Sequence, residues 1–368
     1  MTFKNMGIIA PLLNAIQKTG YQEPTEIQSR AVPLILKGHD IIACAQTGTG
    51  KTAAFALPIL QLLHTAKDGR SHPRALVIVP TRELAVQVSE SLSSFANALP
   101  LRHLAIFGGV SQQQQVAKLK EGVDLIVATP GRLLDLHAQG HLNISKVACL
   151  VLDEADNMLD MGFLHDIKKI MSALPKKRQT LLFSATMPQG IRKLTKEMMQ
   201  HPKEIAVSPV SSTLPTINQS VYLVDKTDKT TLLKQFLTRR MGQQTLVFLR
   251  TKHGADRLSK KLLKYGITAV SIHGNKTQNA RQKALNSFKE GKVDVLLATD
   301  IAARGIDIKE LPMVINYDLP EDAETYVHRI GRTGRAGKTG EAHSFCSPEE
   351  KSLLLKIQKL IGRQLTNK

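Results

Sequence analysis

The chain has 368 residues and is strongly basic, with 50 lysines and arginines against 31 aspartates and glutamates and a formal net charge of +19. Its length favours two domains, and its 42% hydrophobic content excludes a disordered chain. The charge suggests a polyanionic partner but does not identify it.

Other features narrow the class of protein further. No apolar run approaches the roughly 20 residues that span a bilayer, and the first seven residues lack the apolar region of a signal peptide. The three cysteines are far apart and form no C-x-x-C pair. That pattern argues against a disulfide framework or a structural metal site. We therefore expect a cytoplasmic protein that does not associate with membranes.

Short apolar runs alternate with helix-length segments along the chain, which predicts α/β domains with parallel sheets. In the first half the predicted strands are 41–45, 75–79, 125–128, 149–152 and 180–183, and 82–98 has the spacing of an amphipathic helix. In the second half the predicted strands are 245–248, 269–272, 293–297 and 313–315.

The stretch around residues 202–215 is rich in proline and serine and has no periodicity. It predicts a flexible linker at 208–215 between an N-terminal domain, residues 1–207, and a C-terminal domain, residues 216–368. A final amphipathic helix over 352–364 is expected to pack Leu354, Leu355, Ile357 and Leu360 into the core.

A phosphate-binding loop follows the first predicted strand. Residues 45–52 read Ala-Gln-Thr-Gly-Thr-Gly-Lys-Thr and match G-x-x-x-x-G-K-[ST] except at the first position. The glycines let backbone N–H groups converge on phosphate oxygens at a helix N-terminus. Lys51 can reach the β- and γ-phosphates, and the Thr52 hydroxyl can bind Mg²⁺.

Such a loop needs an acidic partner at the end of a neighbouring buried strand. The tetrapeptide 153–156, Asp-Glu-Ala-Asp, directly follows the strand at 149–152. Asp153 is placed for the metal, and Glu154 for orienting or deprotonating the attacking water. Alone, the tetrapeptide could be an acidic helix cap. Together with the loop, it predicts binding and hydrolysis of a nucleoside triphosphate.

From Phe3 to about Gly337 the chain resembles the DEAD-box ATP-dependent RNA helicases of helicase superfamily two, which are named after the tetrapeptide at 153–156. Within the family it looks most like the bacterial RhlE-type branch. The resemblance implies two tandem RecA-like domains, ATP and Mg²⁺ as cofactors, and RNA as partner. It also implies RNA-stimulated ATP hydrolysis in the cleft between the domains, coupled to local unwinding of short duplexes or to remodelling of RNA–protein complexes. Ribosomal and RNA-decay complexes are both possible settings.

The resemblance also implies the residues of the ATP site. Gln28 would hydrogen-bond the adenine edge, as an amide can, and Phe3 would stack on the ring; alone, Gln28 would be read as a surface residue. Asp307 of the second domain is implied at the ribose. The remaining implied contacts lie in the phosphate loop: Gln46, Thr47, Gly48, Thr49, Gly50, Lys51 and Thr52.

Three first-domain segments match the RNA-contact motifs of the family, at 80–84, 108–109 and 129–132. We expect each to lie at or just after the end of a strand, where α/β sheets place ligand sites. Arginines there offer forked donors to phosphates, and glycine permits close backbone approach. The implied RNA contacts are Pro80, Thr81, Arg82, Gly109, Thr129 and Arg132, with Thr299 in the second domain.

Two further segments complete the implied machinery. Ser184 and Thr186, which alone would be a helix cap, are implied to couple the nucleotide site to domain closure. Residues 328–335 resemble the arginine-finger motif, with Arg332 and Arg335 reaching the γ-phosphate and His328 in the coupling network. The implied catalytic set is thus Lys51, Asp153, Glu154, Arg332 and Arg335. Asn157 stands where arginine is frequent in this branch and receives no function.

Two other functions are compatible with the same motifs. One is an RNA-binding clamp or assembly scaffold that hydrolyses ATP without useful unwinding. The other is a DNA translocase of the same superfamily, against which the adenine-reading segment and the tetrapeptide argue. Selectivity for RNA should arise from contacts with the 2′-hydroxyls.

Overall fold

The computed structural model describes residues 2–46, 48–66, 72–97, 99–207, 217–303, 308, 311–334 and 339–368. The chain divides into two compact units, Met1–Pro209 and Val210–Lys368. This division falls within the predicted linker 208–215, which lies outside the described residues. The domain limits 1–207 and 216–368 stay a prediction. Among the described residues, no helix is both long and apolar enough to cross a membrane.

The first unit alternates strands and helices. Its strands are β1 (Ile41–Cys44), β2 (Ala75–Ile78), β3 (His103–Ile106), β4 (Leu125–Ala128), β5 (Cys149–Asp153), β6 (Gln179–Ser184) and β7 (Lys203–Ala206). A short 3-10 helix, Lys4–Met6, comes before its α-helices, which are α1 (Ala10–Lys18), α2 (Glu26–Leu36), α3 (Lys51–Thr65), α4 (Arg82–Ala96), α5 (Gln112–Lys120), α6 (Pro130–Ala138), α7 (Ala155–Asp160), α8 (Leu164–Ala173) and α9 (Gln189–Met198).

The described strands of the first unit form one parallel sheet in the order β3-β4-β2-β5-β6-β1-β7. Alternate residues of the central strands face opposite sides of this sheet. Val77 and Val151 lie in the core beneath α1 to α4, whereas Leu76 and Leu150 lie in the core beneath α6 to α9. Burial on both faces explains why these strands are nearly continuous apolar runs.

The second unit has the same construction. Its strands are β8 (Ile217–Leu223), β9 (Thr245–Phe248), β10 (Ala269–Ile272), β11 (Val295–Ala298), β12 (Met313–Asn316), β13 (Gly340–Cys346) and β14 (Thr366–Asn367). Its α-helices are α10 (Lys229–Arg239), α11 (Lys252–Leu263), α12 (Gln278–Lys289), α13 (Asp300–Ala303), α14 (Ala323–Ile330) and α15 (Lys351–Ile361), with a 3-10 helix at Pro348–Glu350.

The described strands of the second unit form a parallel sheet in the order β10-β11-β9-β12-β13-β8-β14. Counted from the first strand of each unit, this order is identical to that of the first unit. The two sheets are therefore copies of one topology, and the predicted fold of two parallel α/β units is confirmed.

One expectation about the core is wrong. In α15, Leu354 and Ile357 are buried as predicted, but Leu355 is 66% exposed and Leu360 is 49% exposed. Leu354 and Ile357 are three residues apart and share a helix face, which continues to the partly buried Ile361. Leu355 and Leu360 fall outside this narrow face, so only part of the apolar set enters the core.

Candidate active site

The described site residues of the first unit gather at one edge of its sheet. The phosphate loop follows β1, the segment at 80–82 follows β2, the two glycines at 108–109 follow β3, and the segment at 129–132 follows β4. The acidic tetrapeptide begins at the last residue of β5, and Ser184 is the last residue of β6. Because the strands are parallel, all of these carboxyl ends lie on the same side, where α/β sheets bind ligands.

The phosphate loop has the backbone that an anion site needs. Gly48 and Gly50 both have φ of +90°, a conformation that favours glycine. Gly50 is the N-cap of α3, whose first residue is Lys51, so the unpaired N–H groups of the helix face the loop. The Thr49 hydroxyl donates to the Gln46 carbonyl at 2.7 Å and closes the turn. Thr47 lies outside the described residues.

The lysine of this loop is buried without a protein partner. Lys51 is 6% exposed, and among the described residues its Nζ has no hydrogen-bond partner. A buried ammonium is costly unless an anion pairs with it. The adjacent Thr52 is half-buried in the first turn of α3. These residues therefore fit a bound phosphate group.

One buried carboxyl group, that of Asp153, lies near this lysine, and a second belongs to its chain neighbour Glu154. Asp153 is 3% exposed and Glu154 is 4% exposed. The pKa of Asp153 is raised to about 7, chiefly by burial and further by the negative charge of Glu154, although the positive charge of Lys51 lowers it. The carboxyl group of Asp153 also accepts a hydrogen bond from the Glu154 backbone at 3.0 Å. Burial disfavours the ionised form of Asp153, and a cation bound beside it would favour that form.

The backbone of Glu154 is strained. Its φ of +53° is left-handed, which among the described non-glycine residues is shared only with His201. Such a conformation costs roughly 1–2 kcal/mol for an L-residue, and strain of this kind concentrates at functional sites. The Glu154 carboxylate does not cap its own helix, α7; instead it accepts a hydrogen bond from the Asn157 side chain at 2.9 Å.

The last carboxylate of the tetrapeptide connects β5 to β6. Asp156 accepts hydrogen bonds from the backbone N–H groups of Ala185 and Thr186, at 3.0 and 2.8 Å, and from the Thr186 hydroxyl at 3.1 Å. Its own N–H donates to the Ser184 hydroxyl at 3.1 Å. The structure thus joins Ser184 and Thr186 directly to the tetrapeptide, and their coupling role stays a prediction.

The two residues implied at the adenine ring lie inside the first unit. Gln28 is fully buried; its Oε1 accepts from the Thr25 backbone at 3.0 Å, and its Nε2 donates to the Gly50 carbonyl at 3.1 Å. Phe3 is 5% exposed and meets Tyr21 edge to face, with ring centroids 6.4 Å apart. The structure therefore places Gln28 against the phosphate loop, and its role at adenine stays a prediction.

The implied RNA segments include one tight contact. A methyl group added to Gly109 would collide with the guanidinium of Arg82, so this arginine lies directly on the glycine backbone. Thr81 caps α4 by accepting from the Leu84 N–H at 3.2 Å. Thr129 is the N-cap of α6. Arg132 lies 3.6 Å from Asp135 and keeps 12% of its side chain exposed. Pro80 is buried in the turn between β2 and Thr81.

In the second unit, Thr299 follows β11 and is half-buried. His328 lies in α14 and is half-buried, and Arg332 follows this helix with 9% exposure. Arg335 and Asp307 lie outside the described residues. The structure therefore brings His328 and Arg332 to one helix end, and the roles implied for all five residues stay predictions.

The sequence analysis assigned no role to Arg329, a buried residue of the segment 328–335 with several hydrogen bonds. Arg329 is 2% exposed and donates to both Asp300 oxygens at 2.6 and 2.7 Å, to the Asn316 side chain at 3.0 Å and to the Asp318 carbonyl at 2.7 Å. Its guanidinium lies 4.9 Å from the centre of the Phe248 ring. Arg329 thus fixes α14 to α13 and to β12.

A signal for this role was present in the sequence. Tyr326 and Ile330 are buried apolar residues of α14. Residues three positions apart along a helix share a face, and Arg329 lies three positions after Tyr326. The same periodicity indicates that Arg329 faces the sheet.

Comparisons with known proteins agree with this geometry. The DEAD/DEAH box helicase family model matches residues 25–194, and the helicase conserved C-terminal domain model matches residues 228–337. The chain is 45% identical over 363 residues to the ATP-dependent RNA helicase DeaD of Buchnera aphidicola, covering 98% of this chain and 60% of that relative. It is 44% identical over 364 residues to the DEAD-box ATP-dependent RNA helicase CshA of Geobacillus kaustophilus, covering 99% and 77%.

Solved structures give the same result. Dbp5 of S. cerevisiae, bound to RNA and ADP BeF3, has a TM-score of 0.90 and 33% identity, with 100% of this chain and 95% of that chain covered. A DEAD box protein from the hyperthermophile Methanococcus jannaschii has a TM-score of 0.57 and 38% identity, covering 100% and 99%.

These matches confirm the tandem RecA-like fold, the helicase class and the use of a nucleotide. The relatives above are DeaD and CshA proteins, so the RhlE-type branch stays a prediction. The chain belongs to the DEAD-box family of ATP-dependent RNA helicases.

Proposed function

We propose that this chain is an RNA-stimulated ATPase of the cytoplasm that locally unwinds short RNA duplexes or remodels RNA–protein complexes. The observation that carries the proposal is the buried ammonium of Lys51, which has no hydrogen-bond partner among the described residues and lies near the buried carboxyl group of Asp153. A nucleoside triphosphate supplies the anion that this lysine lacks. The DeaD and CshA relatives, named as ATP-dependent RNA helicases, support the choice of ATP and RNA.

The metal would be held by first-unit residues, and the nucleotide by first-unit residues together with Asp307 of the second unit. Lys51 and the backbone N–H groups of the loop bind phosphates, Gln28 and Phe3 take the adenine, and Asp307 takes the ribose. Among the described residues, no group of three or more His, Cys, Asp or Glu side chains could hold a metal. Mg²⁺ would therefore be held by Thr52 and Asp153, partly through water, together with phosphate oxygens, as is usual for this ion. When bound, it neutralises charge that develops on the phosphates.

Hydrolysis needs a base and a charge stabiliser. Glu154 orients the attacking water and accepts its proton. Arg332 and Arg335 stabilise negative charge on the γ-phosphate, a contribution worth about 10³–10⁵ in rate. The hydrogen bonds from Ser184 and Thr186 to the tetrapeptide, together with His328, carry the effect of RNA binding to the carboxylates.

RNA would be bound through its backbone. Arg82 and Arg132 donate to phosphates, and Gly109 brings the main chain close to the strand. Pro80, Thr81, Thr129 and Thr299 complete the contact surface. Because these groups contact sugar and phosphate rather than base edges, binding should depend little on sequence and should discriminate RNA from DNA through the 2′-hydroxyl.

The first experiment measures the ATPase rate with no nucleic acid, with RNA and with DNA of equal length. RNA alone should stimulate the rate, because closing on RNA completes the catalytic site. Equal rates with and without RNA would refute the proposal, and equal stimulation by DNA would favour a translocase. Strand displacement on a short duplex with an overhang then separates unwinding from clamping.

The second experiment changes the proposed base. Glu154→Gln should abolish turnover while ATP and RNA still bind, because the amide keeps the shape and cannot accept the proton. Glu197→Gln is a matched control, since Glu197 forms only an exposed ion pair with Lys168 at 2.7 Å, and it should leave the rate unchanged. Multiple turnover by the Glu154 variant would remove this residue from its role. RNA that co-purifies with the inactive variant would show whether ribosomal or RNA-decay complexes are its partners.

A further inference from the structure

The residue that follows the acidic tetrapeptide has a contact that its sequence position does not suggest. Asn157 is 9% exposed, and its Nδ2 donates to Oε2 of Glu154 at 2.9 Å. Among the described residues, Asn157 is the one hydrogen-bond partner of this carboxylate. A buried carboxylate that loses its only donor bears the full cost of desolvation.

The geometry of α7 makes this contact specific. Glu154 is the N-cap and Asn157 is the third residue of the helix, a spacing at which an N-cap side chain usually accepts from the backbone N–H. Here that N–H donates to Oδ1 of Asp156 at 3.0 Å instead. The Glu154 carboxylate is therefore released from capping and is oriented by the Asn157 side chain.

The orientation of the asparagine amide follows from its chemistry. An ionised carboxylate only accepts hydrogen bonds, so the amide must turn its NH₂ group toward Glu154. The Oδ1 of Asn157 is buried and has no partner among the described residues. The orientation of the amide is therefore explained by the hydrogen bond from its Nδ2 to Glu154, and not by a hydrogen bond to its Oδ1.

We propose that Asn157 is a positioning residue that holds the Glu154 carboxylate in the orientation required for its role as general base. The inference rests on the proposed function of Glu154 and deepens it. Asn157 need not touch the substrate; it fixes the side chain that does. Its loss should therefore lower kcat and leave the binding of ATP and RNA intact.

The test compares variants by steady-state kinetics in the full chain, with saturating RNA. Asn157→Asp keeps the shape of the side chain but replaces the donor by a second carboxylate, and Asn157→Leu removes the donor at similar volume. Both should lower kcat about 10- to 100-fold, the range expected for a hydrogen bond to a charged group. KM for ATP and the affinity for RNA should change less than about twofold.

Met158→Leu is the matched control, because Met158 is the fully buried neighbour in the same helix and this exchange conserves volume. It should keep the wild-type kcat. Either asparagine variant with a kcat equal to that of the control would overturn the proposal, as would a raised KM with unchanged kcat, since that split indicates a role in ATP-site structure. If Asn157→Leu fails to fold, the isosteric Asn157→Asp decides alone. RNA stimulation of the wild-type enzyme in the same assay tests the proposed function separately.

Discussion

The contact between Gly109 and Arg82 gives a sharp test of the RNA surface. A Cβ at Gly109 would lie 2.7 Å from the Arg82 Cζ and closer still to one of its terminal nitrogens. Heavy atoms cannot approach this closely, so Gly109→Ala forces the guanidinium away. Because the displaced group is the end of a flexible side chain, the fold itself should survive.

The size of the effect has two parts. Gly109 has φ of +80°, and an alanine there costs about 1–2 kcal/mol of stability. Displacing Arg82 removes a charge-assisted hydrogen bond to phosphate, which should weaken RNA binding about 10-fold or more. It should also reduce the slope of log affinity against log salt by about 0.7, the value for one phosphate contact with single-stranded nucleic acid.

The chain offers a matched control for the first part. Gly140 has a similar φ of +74°, and nothing lies within 4 Å of a Cβ built there. Gly140→Ala should therefore lower stability about as much as Gly109→Ala without touching RNA binding. RNA affinity is measured by fluorescence anisotropy over a salt series, and ATP affinity is measured in parallel. If both alanine variants bind RNA equally well with equal salt slopes, Arg82 does not contact RNA from the position seen here.

Three further predictions concern the stability of the second unit. Lys229 is 1% exposed and donates to Glu350 at 2.6 Å, so Lys229→Met should cost about 1.5–3 kcal/mol in urea unfolding, because the buried carboxylate loses one charged donor and keeps Arg250, at 2.9 Å, as the other; a loss below about 1 kcal/mol would contradict this. Burial raises the pKa of Glu350, but the hydrogen bonds from Lys229 and from backbone amides outweigh it and hold the pKa below its usual value. The resulting stabilisation is complete above the pKa of Glu350 in the unfolded chain and is lost as the pH falls through its pKa in the folded chain. Glu350→Gln should therefore flatten the decline of the melting temperature below about pH 4.3. A decline as steep as in the wild type would count against this prediction. Arg329→Lys keeps the charge but cannot reach both Asp300 oxygens at once, and calorimetry should show a loss of about 2–3 kcal/mol; an unchanged melting temperature would show that the fork is dispensable.

The sequence predicted the central strands well because strands buried on both faces of a sheet consist almost entirely of apolar residues. It missed strands that carry polar side chains, because those side chains find their hydrogen-bond partners on the same or neighbouring strands. The strand β13 contains Glu341 and His343, and the His343 ring bonds the Ser220 hydroxyl at 2.7 Å and Glu341 at 2.9 Å. The edge strand β7 buries only Ile205 strongly. Periodicity cannot detect elements whose polar groups find partners only after folding.

The order of the motifs along the chain was enough to predict that the site lies at the strand ends, but not which side chains contact each other. The Gln28 amide donates to the phosphate loop, and the role we propose for Asn157 arises because its backbone N–H donates to Asp156 and not to Glu154. Arg329 and Arg332 stand three residues apart in one motif, yet only the structure shows that Arg329 is held by Asp300. Such distinctions depend on the distance between atoms far apart in sequence.

The duplicated topology places two buried lysines at equivalent positions with different partners. In both units the helix that follows the first strand begins with a buried lysine, Lys51 in α3 and Lys229 in α10. Lys229 is neutralised by Glu350 and donates to the Tyr317 carbonyl at 2.8 Å. Lys51 occupies the same position in an identical strand order, and among the described residues its Nζ has no hydrogen-bond partner.

Burial of an ammonium carries a similar desolvation cost in both units. In the second unit an internal carboxylate offsets that cost, so the position contributes to the fold. In the first unit the nearby carboxyl group of Asp153 has a pKa of about 7 because burial disfavours its charge, so it compensates Lys51 only partly at neutral pH. The triphosphate that we propose for the first unit would therefore gain more from this position than an anion at the second unit, where the same topology holds a closed ion pair.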